Sequence, residues 1–109
     1  MATVMGHQNR DEAASMKVVW SRRALSHLVA LRNFIAKDSD DSAVQIAMRI
    51  VHAVDFLANQ PDMGRPGRLP GTRELVVPRT PYVIPYRVRG ERLELIAVFH
   101  GSQNWPDKL

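Results

Sequence analysis

The chain has no cysteine, and this absence excludes disulfide bonds and thiolate chemistry. A protein without cysteine suits a reducing compartment, so we expect it in the cytoplasm. The sequence also lacks a hydrophobic run of membrane-spanning length and the hydrophobic core of an N-terminal signal peptide. Nothing in the sequence therefore indicates export or a membrane partner.

Motifs that bind cofactors or metals are also missing. The chain has no Walker loop, nucleophile elbow or dinucleotide glycine fingerprint, and the segment GRPG at residues 64–67 is interrupted by proline. No cluster of histidines and carboxylates has the spacing of a metal site. We therefore expect neither a cofactor nor a metal ion.

The composition indicates one basic domain. With 109 residues, of which 45% are hydrophobic, the chain can bury a single core. Residues 1–15 lack an apolar period and predict either a mobile leader or a non-native extension that precedes the true start at Met16, so the folded domain is expected at residues 16–109. The net charge of +4 and the isoelectric point near 10.1 favour an acidic partner, either nucleic acid or a protein segment. The alternative is a basic surface without a partner.

The clearest pattern is a β-hairpin over residues 82–100. Hydrophobic and polar residues alternate in two runs, with a turn around Gly90, and this period of two is typical of strands. Pro85 lies inside the first run and cannot donate a backbone hydrogen bond. Its nitrogen must therefore face a sheet edge or a bulge.

Two helices are predicted upstream of the hairpin. Ser21 is a suitable N-cap for the first helix, and Ser42 with Gln45 has the spacing of a capping box for the second. Helical stripes follow each cap, at Ala24, Leu28, Leu31 and Ile35, and at Ala43, Ile46, Ala47, Ile50, Val51, Val54, Leu57 and Ala58. The short polar connection between them predicts an antiparallel helical hairpin.

The remaining segments complete an α+β fold. Residues 17–20 and 73–77 predict further strands, and residues 63–71 are rich in Gly and Pro and predict a loop. The order is β-α-α-β-β-β, in which the helical hairpin packs on a small antiparallel sheet.

The candidate binding residues are arginines. Seven of them and only two acids, Glu74 and Glu91, lie between residues 64 and 92. Arginine forks bind phosphate and carboxylate, so this cluster predicts a docking surface for an acidic partner, although it would also suit a solvated sheet face. The predicted partner-binding residues are Arg65, Arg68, Arg73, Arg79, Arg87 and Arg89.

One histidine has a position compatible with catalysis. His100 ends the last predicted strand, where an imidazole could act as a general acid or base. A structural histidine held by hydrogen bonds is the alternative at such a position.

Several short motifs in succession resemble the ParE/RelE superfamily of bacterial toxins. The similarity extends from Met16 to about Asp107 and is carried by Arg23-Ala24 at the helix entry, Ala24-x3-Leu28-x2-Leu31-x3-Ile35, NQPDMGR at 59–65, Arg73, Tyr82-x-Ile84-x-Tyr86-Arg87-Val88, VFHG at 98–101, and Trp105-Pro106. The resemblance implies the toxin of a type II toxin–antitoxin (plasmid stabilisation) module, with a RelE/ParE-like fold and a cognate antitoxin as partner.

The superfamily has two branches, which inhibit DNA gyrase (ParE-like) or cleave mRNA on the ribosome (RelE-like). By this resemblance, the positions at which the nuclease branch has basic residues are occupied here by Glu74, Val76, Val83 and Gln103. Such a nuclease must stabilise a pentavalent phosphate, which a valine cannot do. The resemblance therefore favours a gyrase inhibitor without catalytic residues. The alternative is an mRNA endoribonuclease that acts on the ribosome and uses His100, Arg87, Arg79 and Tyr82.

Overall fold

The computed structural model describes residues 15–106, and nearly all of the predicted leader lies outside the described residues. Two helices pack on a six-stranded sheet, which confirms the predicted α+β class. A two-residue strand at Arg65–Pro66 occurs within the predicted loop and was not expected. The elements are β1 (Lys17–Trp20), α1 (Arg22–Ala36), α2 (Asp40–Asn59), β2 (Arg65–Pro66), β3 (Arg73–Val76), β4 (Tyr82–Arg89), β5 (Arg92–Leu95) and β6 (Phe99–His100).

The sheet is mixed rather than purely antiparallel. Its strand order is β1-β5-β4-β3-β2, and β6 pairs with β4 beyond the end of β5. All neighbours are antiparallel except β1 and β5, which run parallel from the pair Lys17 and Arg92 to the pair Trp20 and Leu95. Hydrophobic alternation predicts that a segment is a strand, but it does not encode which distant strand becomes its neighbour. The direction of β1 was therefore not predictable from its own residues.

A single proline interrupts the second strand of the predicted hairpin. The run expected over residues 93–100 divides into β5 and β6, with a break at residues 96–98. The Pro85 carbonyl accepts a hydrogen bond from Ile96 N at 2.9 Å, on the side of β4 where the break occurs. Because Pro85 has no N–H to return, the ladder cannot continue there. The prediction that Pro85 faces a bulge or an edge is confirmed.

The two helix N-termini differ in how well the sequence predicted them. Ser21 caps α1 as expected, because its Oγ accepts from Ala24 N at 3.0 Å and donates to Ile96 O at 2.9 Å. The predicted cap of α2 was wrong, since Ser42 lies within the helix and its N–H donates to Oγ of Ser39, the true N-cap. Ser39 precedes two aspartates in the first turn, which the helix dipole favours at that end.

The core lies between the helical hairpin and one face of the sheet. The predicted stripes of both helices face it, with the exception of Val51, which is 41% exposed. Within residues 15–106, no helix is long and apolar enough to cross a membrane. The buried cluster consists of Ala24, Leu31, Ile50, Val54, Leu57, Leu75, Val77, Ile84, Tyr86, Leu93, Leu95 and Val98.

Candidate partner-binding groove

A groove of about 540 Å³ runs between α2 and the strands at the far edge of the sheet. One wall is formed by α2, and the other by β2, β3 and the segments that flank them. We call this feature the α2–β3 groove. It is lined by Arg49, His52, Ala53 and Phe56 on the helix, and by Met63, Gly64, Arg65, Glu74, Leu75, Val76, Pro78 and Arg79 opposite.

The groove exposes large apolar side chains. Phe56 is 60% exposed, Val76 48% and Met63 43%. Among residues 15–106, β2 pairs with only Arg73 and Glu74 of β3, so no strand in this range covers these side chains. Apolar side chains that line a concave surface together are typical of a binding site.

Glu74 is the one carboxylate that the described part of the chain contributes to the groove lining, and its charge is already neutralised. The side chain of Glu74 is 3% exposed, and its Oε1 accepts from Arg65 Nε at 3.0 Å. The other oxygen, Oε2, accepts from the backbone N–H of Arg68 at 3.0 Å and lies 3.6 Å from Arg68 Nε. A buried carboxylate with these partners has its charge compensated, so it does not make the groove acidic.

Two arginines at one end of the groove have charges available to a ligand. Arg49 Nη1 donates to the backbone carbonyl of Arg79 at 3.2 Å, which places the two residues side by side. Among residues 15–106, neither guanidinium has a carboxylate within 4.0 Å. Arg79 has a φ of 61°, in the left-handed region that non-glycine residues adopt at a cost.

The loop that forms one wall of the groove is held by Tyr86. Its hydroxyl donates to Pro61 O at 2.7 Å and accepts from Gly64 N at 2.9 Å. A side chain on residue 64 would collide with the Tyr86 ring and hydroxyl, so only glycine fits there. Burial raises the pKa of Tyr86, which keeps the hydroxyl protonated as a donor.

Arg73 fastens the same loop. Its Nη1 donates to Gly64 O at 2.8 Å and to Asp62 O at 3.2 Å. The Arg73 side chain is therefore engaged with the loop backbone.

The remaining predicted partner-binding arginines lie outside the groove. Arg87 and Arg89 both pair with Glu94, at 3.0 Å and 3.5 Å. The Arg68 guanidinium lies 3.6 Å from the centre of the Trp105 ring. Of the six arginines predicted to bind a partner, the structure brings only Arg65 and Arg79 into the groove.

Sequence reasoning missed the helical wall of the groove. Arg49, His52 and Phe56 are spaced three and four residues apart, so they form a stripe on α2 beside its buried face. That stripe was the signal available in the sequence, and it combines a cation with an exposed aromatic ring.

The structure brings two residues of the alternative catalytic set, Tyr82 and His100, together and places Arg87 apart from them. Tyr82 and His100 are neighbours, with ring centres 5.7 Å apart, and the His100 Nδ1 accepts from Ser102 N at 3.2 Å. Arg87 lies five residues beyond Tyr82 on β4, which is about 16 Å along a strand and on the opposite face. Arg79 lies in the groove. Within residues 15–106, no group of three potential ligands could hold a metal ion.

Comparison with known proteins agrees with this architecture. The profile of the family described as the ParE toxin of the type II toxin–antitoxin system parDE matches residues 18–105. A solved structure of the chromosomal ParDE toxin–antitoxin system from P. aeruginosa superposes with a TM-score of 0.72 at 27% identity, covering 80% of this chain and 97% of that chain.

Two relatives extend the comparison. The chain is 44% identical to Y4kP of Sinorhizobium fredii over 93 residues, which cover 85% of this chain and 96% of that protein. It is 36% identical to toxin RelE2 of Caulobacter vibrioides over 87 residues, covering 80% of this chain and 97% of the relative.

A helical hairpin on a small sheet, with this match to a solved ParDE structure, defines a toxin of the ParE/RelE superfamily. More particularly, the chain belongs to the ParE toxin family of type II toxin–antitoxin systems. The resemblance found in the sequence motifs is confirmed. Membership of this family implies an antitoxin as the partner.

Proposed function

We propose that the protein inhibits DNA gyrase by binding it in the cytoplasm, as part of a plasmid stabilisation module. Residues 16–109 form the toxin domain in this proposal. A cognate antitoxin neutralises the toxin. The activity needs no proton transfer and no cofactor, because a binding inhibitor performs no chemistry on its target.

The observation that supports this branch is the state of the residues at the nuclease-like positions. Glu74 is buried and bonded to Arg65 and Arg68, and Val83 is 6% exposed. Gln103 uses its side-chain oxygen to accept from His100 N at 2.7 Å. None of these side chains offers a cation to a phosphate in its transition state.

An mRNA endoribonuclease is the second candidate, because two of its predicted catalytic residues are in contact. Tyr82 and His100 meet edge to face, and burial raises the pKa of Tyr82. One relative carries the name toxin RelE2. In this candidate His100 is the acid or base. Arg87 would have to reach the phosphate from a position about 16 Å along β4 from Tyr82, and Arg79 would have to reach it from the α2–β3 groove.

Two reconstituted assays separate the candidates. We expect the purified toxin to inhibit supercoiling by gyrase and to leave mRNA intact on translating ribosomes. The His100→Ala variant should inhibit gyrase as well as the wild type does, and a melting curve verifies that it is folded. Cleavage of mRNA in the ribosomal A site, lost in His100→Ala or Arg87→Ala, would replace this proposal with the nuclease.

A further inference from the structure

We propose that the face of the sheet turned away from the helices binds the phosphate backbone of duplex DNA, through a row of cations formed by Lys17, Arg92 and Arg89. We call these three residues the cation row. The identity of the DNA, as the segment held by gyrase, rests on the proposed function. The row is separate from the α2–β3 groove, because its residues belong to β1, β5 and β4 and do not line the groove.

Strand register places the three cations side by side. Lys17 is the register partner of Arg92 in the parallel pair of β1 and β5. Arg92 is in turn the partner of Arg89 in the antiparallel pair of β5 and β4. Register partners direct their side chains to the same face of a sheet and lie about 5 Å apart. The cation row therefore crosses three strands over about 10 Å.

The cation row lies on the face of the sheet opposite the core. The next residues along β1 and β5 are Val18 and Leu93, of which Leu93 is buried in the core and Val18 packs against it. Because side chains alternate across a strand, Lys17 and Arg92 are directed away from the helices. Arg89 shares their face as the register partner of Arg92, and all three residues are exposed.

The charge of the row is only partly balanced within residues 15–106. In this range Lys17 and Arg92 have no carboxylate within 4.0 Å. Arg89 Nε lies 3.5 Å from Oε1 of Glu94, but the same oxygen accepts from Arg87 Nε at 3.0 Å. One carboxylate thus compensates two guanidinium groups.

This arrangement costs the fold stability. Like charges directly opposite each other on neighbouring strands are destabilising. The cations are closer together than the Debye length of about 10 Å at 0.1 M salt, so dissolved ions do not remove the repulsion. Glu91 lies in the turn between Arg89 and Arg92, yet within residues 15–106 it forms no ion pair with them. An anionic ligand that binds the row would relieve the repulsion.

The residues beside the row favour a phosphate backbone over an acidic protein segment. Two positions further along the three strands, on the same face, lie Val19, Glu94 and Arg87 in register. Arg23, at the start of α1, lines the same shallow depression as these three residues. Val19 is the one apolar residue of the two rows, and it is partly buried. Phosphates require cations alone, whereas the centre of a protein interface is apolar.

Duplex DNA matches the cation row in its density of charge. It carries one negative charge per about 1.7 Å of helix axis, so several phosphates lie within the reach of a row of about 10 Å. Bases are read by elements that enter a groove, and a sheet face that presents a row of cations to the backbone does not do so. We therefore expect binding without sequence preference. Gyrase supercoils DNA, so a duplex is present at the proposed target.

The repulsion within the row provides variants in which binding and folding change in opposite directions. Lys17→Gln and Arg92→Gln each remove one cation and one contact between like charges. Both variants should therefore melt at the same or a higher temperature than the wild type, while they bind DNA more weakly. Arg32→Gln is the matched control, because it also removes one exposed arginine charge but lies on α1 and not on the sheet.

The experiment measures binding of the full-length toxin to two short DNA duplexes of unrelated sequence by fluorescence anisotropy, between about 50 mM and about 200 mM salt. We expect Lys17→Gln and Arg92→Gln each to raise the Kd at least ~3-fold on both duplexes. Each should also reduce the slope of log Kd against log salt by about 0.9, the value for one lost phosphate contact. Arg32→Gln should change the Kd less than ~2-fold, because it lies outside the cation row.

Several results would overturn the proposal. These are absence of DNA binding by the wild type at low salt, an unchanged Kd in the double variant Lys17→Gln with Arg92→Gln, or an equal loss in Arg32→Gln. A lower melting temperature in both row variants would show that the row stabilises the fold instead of costing it stability. Tighter binding of single-stranded RNA than of duplex DNA would assign the face to RNA. Binding of the antitoxin that depends on the row, with DNA binding that does not, would assign it to a protein.

The supercoiling assay separates this inference from the proposed function. If the wild type inhibits gyrase and the double variant inhibits it equally well, the DNA site is excluded from the inhibition and the proposed function stands. If the wild type binds duplex DNA through the row but does not inhibit gyrase, the DNA site stands and the proposed target is wrong. Weaker inhibition by the double variant, with unchanged inhibition by Arg32→Gln, supports both.

Discussion

Tyr86 connects the centre of the sheet to the wall of the groove. Its hydroxyl bonds both Pro61 O and Gly64 N, and both bonds are lost in Tyr86→Phe. We expect this variant to lower the free energy of unfolding by about 1–2 kcal/mol, because the loop backbone loses its partner. Urea denaturation measures the loss, and Tyr82→Phe is the control, since the Tyr82 hydroxyl has no hydrogen bond to any residue in the described range. Equal losses in the two variants would contradict the role given to Tyr86.

His27 makes the stability of the fold depend on pH. Its Nδ1 accepts from Val98 N at 3.1 Å, and burial, followed by the charge of Arg23, lowers the pKa of His27 below its usual 6.5. A lowered pKa in the folded state means that the unfolded chain binds the proton more readily. The stabilisation is therefore complete above pH 6.5 and is lost as the pH falls through the lower pKa of the folded protein.

We expect the melting temperature to fall between pH 7 and pH 5 by more in the wild type than in His27→Gln. Thermal denaturation followed by circular dichroism at each pH measures the difference. His52→Gln is the control because His52 is exposed on α2, and it should retain the wild-type slope. A slope that survives in His27→Gln would place the titrating group elsewhere.

At the scale of single residues, the sequence located the binding chemistry only in part. A count of charges indicated the arginine-rich segment but could not tell which arginines are already paired. Arg87 and Arg73 looked equivalent to Arg79, yet Glu94 holds the first and the loop carbonyls hold the second. Such pairings depend on strand register and loop conformation, which are set by contacts between distant residues. Arg49 was missed because it belongs to a helix whose buried stripe dominates the pattern.

At the scale of elements, two serines three residues apart at the N-terminus of α2 have different roles. Ser39 Oγ accepts from Ser42 N at 3.1 Å, whereas Ser42 is inside the helix. We expect Ser39→Ala to lower the free energy of unfolding by about 1 kcal/mol, because an N-terminal N–H loses its acceptor. Ser42→Ala should be neutral or slightly stabilising, since alanine favours the helix interior. Chemical denaturation of both variants tests this, and a larger loss in Ser42→Ala would restore the cap predicted from the sequence.

The elements themselves were the most predictable part of the fold. Both helices and the strands β1, β3 and β4 follow from hydrophobic periods, which act over a few residues. The sequence did not predict β2, because its two residues are too few to show a hydrophobic period and are neither β-branched nor aromatic. The parallel partner of β1 was missed because pairing between distant strands has no local signal.

At the scale of the whole molecule, the charge distribution predicts how association responds to salt. The protein carries a net charge of +4, although Glu74 and Glu94 each pair with two of its arginines. Raising the salt concentration from about 0.1 M to about 1 M shortens the Debye length from about 10 Å to about 3 Å. We expect the association rate with the antitoxin to fall at least ~10-fold over that range, because long-range attraction is screened. Stopped-flow measurements provide both rate constants, and a change confined to dissociation would contradict electrostatic steering.

The parallel pairing of β1 and β5 also sets the order of events during translation. Ser21 at the end of β1 bonds Ile96, 75 residues further along the chain. The helical hairpin can form from neighbouring residues as soon as it is synthesised, but β1 has no strand beside it until β5 has been made. A chain that ends before Arg92 lacks β5, so β1 cannot join the other strands of the sheet. A chain truncated before β5 therefore lacks the finished fold, and the toxin domain can complete its sheet only after residues 92–95 have been synthesised.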